Sequence, residues 1–88
     1  MSKLIVQWVN VTRGRDEAAK IEAAYKARLL ELCDNDVEKV RELRERHYKN
    51  HQRVDSGWSI YNCLAQSQAT RDLLPSERNG AAFSVRFE

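Results

Sequence analysis

Residues 3–11, KLIVQWVNV, are β-branched, aromatic and alternating. Leu4, Val6 and Trp8 point to one side, and Ile5, Gln7, Val9 and Val11 to the other, as in a strand of period two. Both sides are largely apolar, so the strand is expected to be covered on more than one face. At the other end, residues 81–88, AAFSVRFE, repeat the pattern: Phe83, Val85 and Phe87 inward, Ser84, Arg86 and Glu88 outward. An α+β domain follows, residues 1–88 as one unit, with its N- and C-terminal strands paired in a small sheet covered by two or three helices.

Between the strands the period changes. Residues 16–33, DEAAKIEAAYKARLLELC, carry Ile21, Tyr25, Leu29 and Leu32 on one helical stripe, with Asp16 and Glu17 where a first turn favours acids. A second stripe, Ala19, Ala23, Ala27 and Leu30, lies almost opposite; small residues at this spacing let another backbone approach. DND, residues 34–36, interrupts the helix, and Asn35 with Glu38 resembles a capping box. A break is favoured over one helix from 16 to 53.

Residues 56–70, SGWSIYNCLAQSQAT, hold no charge in a chain that is 32% charged. Ile60, Cys63, Leu64 and Leu74 form one face; Trp58, Ala65, Ala69 and Leu73 form another. Such a helix is packed between others, or an interface, or both at once, since interface cores are poor in charge and rich in aromatics. Trp58, Tyr61, Ala65 and Ala69 are the expected contact residues, together with the alanine stripe. Pro75 ends the helix, and SERNG reads as a turn.

The densest chemistry is RERHYKNHQR, residues 44–53, with three arginines, one lysine, two histidines and a tyrosine. At ~100° per residue, Val40, Leu43, His47, His51 and Val54 share one side, bordered by Arg44 and Tyr48. The remaining charges alternate in sign on the far side, so this is no basic stripe for a phosphate backbone. Arg44, His47, Tyr48 and His51 form an edge that suits an anionic small molecule such as a nucleotide, with Arg13 and Arg15 of the TRGR turn as further candidates. His47 and His51, four apart, also have metal-ligand spacing. Joined by Cys33 and Cys63 they would make a zinc set, but the gaps match no zinc signature and no metal is expected.

Fifteen basic against thirteen acidic side chains leave a net charge of +2, a nearly balanced surface. Two cysteines are too few for a disulfide framework and fit a cytoplasmic protein. No apolar run approaches a membrane span. Neither a nucleophile–base set nor paired carboxylates in an apolar context can be read, so no enzyme and no cofactor are expected. The expected class is a non-enzymatic protein-binding module, an inhibitor or adaptor of the type compact viral genomes encode. It would act through its uncharged helix, with a protein partner and as a homodimer or higher oligomer; an oligomeric binder of an anion is the alternative, and nucleic-acid binding ranks last.

Overall fold

The computed structural model describes residues 3–49 and 57–88. Its elements are β1 (Leu4–Trp8), α1 (Arg15–Leu32), α2 (Val37–Lys49), α3 (Trp58–Thr70), α4 (Pro75–Gly80) and β2 (Phe83–Phe87). β1 and β2 pair antiparallel, with Leu4 opposite Phe87, Val6 opposite Val85 and Trp8 opposite Phe83. These pairs share the inner face; Ile5–Arg86 and Gln7–Ser84 share the outer one. The α+β fold with paired terminal strands is therefore present.

Among the described residues only one face of the sheet is covered, which corrects the expectation for β1. Gln7, Ser84 and Arg86 are exposed, and Val9 stands 60% exposed beyond the end of the strand. The partner strand decides this: its outward residues are polar, so the outer face has too little apolar surface to recruit a second layer.

The inner face is closed by α1. Tyr25 stacks on Phe83 at 4.4 Å between ring centroids, and Trp8 lies 6.4 Å from Phe83 on the neighbouring strand. Tyr25, Leu29, Val40 and Ala65 are fully buried, so α1, α2 and α3 meet in one core with Leu4 and Val85. Each large aliphatic side chain removed from water there contributes about 1.5–3 kcal/mol. The free edge of β1 is met at one point: the Trp8 N–H donates to Glu22 Oε2 of α1 at 2.7 Å. A charged acceptor in that position takes the place of a further strand.

The break at DND is real, and its chemistry is local. Asp34 and Asn35 both adopt φ of 58°, a left-handed conformation that Asp and Asn tolerate better than most residues. The Asn35 N–H then reaches back to the Leu30 carbonyl at 2.7 Å. The cap of α2 is Asp36 rather than Asn35, because it is Asp36 Oδ1 that accepts the Glu38 N–H at 3.0 Å. The SERNG segment is not a simple turn either. Proline fits the first position of a helix, where its missing N–H has no partner to lose, so Pro75 both follows α3 and opens α4.

The short α4 is tied to the β1–α1 connection by charge. Glu77 accepts from Arg13 at 2.9 and 2.6 Å and from the Thr12 hydroxyl. Those hydrogen bonds, Arg13's first, hold its carboxyl down to about 2 from the ordinary 4.5. A carboxylate whose pKa is depressed on folding stabilises the fold fully above its unfolded value, and loses that contribution as pH falls through the folded one. Wild-type protein should therefore melt above Glu77→Gln at neutral pH, and the gap in Tm should close between pH 4.5 and pH 2. Melting curves across that range check it; a constant gap refutes the clamp.

Candidate functional site

α3 explains half of its own lack of charge. Its inner face, Trp58, Ala65, Ala69 and the following Leu73, is buried against the rest of the chain. This corrects the expected interface: Trp58, Ala65 and Ala69 are core, and Tyr61 is half-buried against the core. The two alanines let α3 lie close to α1, and neither is free to meet a partner.

The flank of α3 is polar but uncharged because it carries a connected hydrogen-bond chain. The Tyr25 hydroxyl donates to Asn62 Oδ1, Asn62 Nδ2 to Gln66 Oε1 at 3.1 Å, and Gln66 Nε2 to the Ala81 carbonyl at 3.2 Å. Thr70, 2% exposed, donates back to the Gln66 carbonyl. A charge at any of these buried or half-buried positions would be desolvated at a cost of several kcal/mol. The network links the central tyrosine of α1 to the entrance of β2. Burial raises the Tyr25 hydroxyl pKa well above its usual value, so it remains a donor at any ordinary pH.

The outer face of α3 has no such reason to be uncharged. Ser59, Ile60, Cys63, Leu64, Ser67 and Gln68 are all exposed. Ile60 and Leu64, one turn apart, are 54% and 43% exposed, and Leu74 beyond the helix is 61% exposed. The free face is thus the Ile60–Leu64 face. Helical spacing separated the two faces of α3 correctly, but which one turns inward depends on what α1 and β2 present to it. Ala19, Ala23 and Ala27 of α1 also stand in solvent, while Leu30 is half-buried against the core.

The basic stretch is divided. Arg44 and His47 are partly buried and Tyr48 is exposed; His51 lies outside the described residues. The Arg44 guanidinium sits over the Tyr48 ring at 5.2 Å, and the His47 ring meets the same ring edge-on at 5.3 Å. His47 Nδ1 is buried, with no hydrogen-bond partner among the described residues. Arg44, Glu45, Tyr48 and Phe87 surround a cleft of about 450 Å³. Arg13 does not belong to it: it is held by Glu77, before the start of β2, whereas Phe87 closes the cleft at the strand's far end. Arg15, exposed at the start of α1, is not on the cleft wall either.

The cysteines do not converge. Cys33 is buried at the end of α1, and Cys63 is exposed on the outer face of α3. Burial pushes the Cys33 thiol up, and Asp34 adds to the shift, so it stays protonated and is a poor ligand and nucleophile at neutral pH. Among the described residues no three His, Cys, Asp or Glu side chains gather as a metal site, and no helix is long and apolar enough to cross a membrane. No protein-family model matches this chain, and neither curated proteins nor solved structures show a match to it.

Proposed function

We propose that the chain is a small, non-enzymatic protein-binding module, an inhibitor or adaptor, that grips its partner with the outer face of α3. One observation carries the reading: an exposed helix face without charge in a chain that is 32% charged. The inner flank of α3 needs its neutrality for folding; the outer face does not. Exposed aliphatic residues one turn apart, set among small polar ones, suit a helix laid into an apolar groove. Three of the arginines are already engaged, which lessens the charge free for a phosphate backbone. Arg13 holds Glu77, Arg28 holds Glu31, and Arg41 bridges Glu38 and Glu45. Their charge is met within the chain.

The test uses three baits: wild type, Leu64→Glu on the outer face, and Ala23→Glu on the exposed alanine stripe. Wild type and Ala23→Glu should capture the same partner in defined stoichiometry, and Leu64→Glu should lose it while melting at the same temperature. Sedimentation of the three proteins alone reads the homodimer directly: if the partner is a second copy, Leu64→Glu is the variant that runs as a monomer. Equal capture by Leu64→Glu and wild type refutes the α3 face, and loss with Ala23→Glu alone moves the interface to α1.

A further inference from the structure

We propose that the cleft between α2 and the end of β2 is a second binding site, for a small anion carried on a flat ring, with Arg44 taking the anionic group. Arg44 is half-buried, and among the described residues no carboxylate pairs with it. Its neighbour Arg41 has two, Glu38 at 2.9 Å and Glu45 at 3.1 Å. Glu45 also lines the cleft, but it is paired with Arg41 at 3.1 Å rather than with Arg44, so the Arg44 cation is the group on the wall without a partner carboxylate among the described residues.

A partly desolvated guanidinium that no described carboxylate pairs with is an arrangement that an incoming anion improves. The contact with Tyr48 does not remove that demand. The ring face attracts the cation but accepts no in-plane hydrogen bond from it, and a guanidinium carries five N–H donors for a carboxylate or phosphate. Tyr25 reports the same charge from the core side, because Arg44 partly offsets the upward push of burial on its hydroxyl.

Shape supplies the second half. Tyr48 from α2 and Phe87 from β2 place aromatic rings on the wall of the one cleft, whose ~450 Å³ falls within the roughly 300–1,000 Å³ of small-molecule sites. An inorganic anion would use Arg44 alone; an anion on a flat ring uses the ring walls as well. This site lies on α2 and β2, not on the outer face of α3, so the two proposals stand or fall separately.

Phenyl phosphate is the probe, followed through the backbone amide signals of the full chain in a ¹H–¹⁵N spectrum, with inorganic phosphate as the comparison. Phenyl phosphate should produce saturable shifts centred on Arg44, Tyr48 and Phe87, and inorganic phosphate should bind about tenfold more weakly. Arg44→Gln should weaken phenyl phosphate by about tenfold or more. Tyr48→Leu, at a half-exposed position that the fold does not need, should bring phenyl phosphate down to the level of inorganic phosphate. It serves as the deciding variant if Arg44→Gln loses its fold. The proposal is overturned by three results: no saturable shift in wild type up to about 10 mM, unchanged affinity in the folded variants, or equal affinity for the two phosphates.

Discussion

Removing residues 82–88 leaves a chain that does not fold. The deletion takes Val85, 3% exposed, out of the core, strips Phe83 from its stack on Tyr25, and leaves β1 with no ladder partner. Loss of one buried valine and two half-buried phenylalanines costs on the order of 6–10 kcal/mol by the usual large-to-small penalties. A domain of this size holds only about 4–13 kcal/mol in total, at ~0.05–0.15 kcal/mol per residue. The truncated protein should show no cooperative thermal transition by circular dichroism and no dispersed amide spectrum. A truncated chain that melts cooperatively at the wild-type temperature would show that the helices fold without the sheet.

Two neighbouring substitutions on α3 should give opposite results. Ala65 has no exposed surface and fills the contact between α3 and α1; Leu64 is 43% exposed on the outer face. Ala65→Glu forces both volume and an unpaired charge into the core, at roughly 4 kcal/mol or more. At about 4–8 °C per kcal/mol for a domain this small, Tm falls by roughly 16–32 °C or the protein fails to fold. Leu64→Glu changes a surface position and should stay within about 0.5 kcal/mol of wild type. Parallel melts of the two variants settle which face of α3 is core. If Leu64→Glu is the one that unfolds, the orientation of the helix is wrong, and the proposed interface falls with it.

The strands were legible because FSVRF alternates cleanly and LIVQW is a short β-branched and aromatic run, each bounded by turn residues. The break between α1 and α2 was legible from DND, where three residues that tolerate turns replace an apolar stripe. Its detail was not: whether Asn35 or Asp36 caps α2 depends on backbone angles that side-chain identity does not state. Pro75 misled for a definite reason, since proline ends one helix and begins another with equal ease. The two faces of α3 were separable by angle, yet their assignment required the rest of the core, because Trp58 and Ile60 are equally apolar by pattern. Arg44 and Tyr48 were legible as members of the edge Arg44, His47, Tyr48 and His51, which helical angle places on one border of the helix. Phe87, the third wall of that cleft, was not, since it arrives from the opposite end of the chain through the register that sets it across from Leu4.

That register has a consequence for the making of the protein. Of these six elements, β1 leaves the ribosome before the helices and β2 after them. At ~5–20 residues per second, Leu4, Val6 and Trp8 wait several seconds for the strand that covers them. During that interval the nascent chain offers an apolar, unpaired strand to any other that passes, which is the situation chaperones exist to handle. Slow translation, or a stall within α3 or α4, should therefore show up as aggregation of incomplete chains rather than as accumulation of a partly active intermediate.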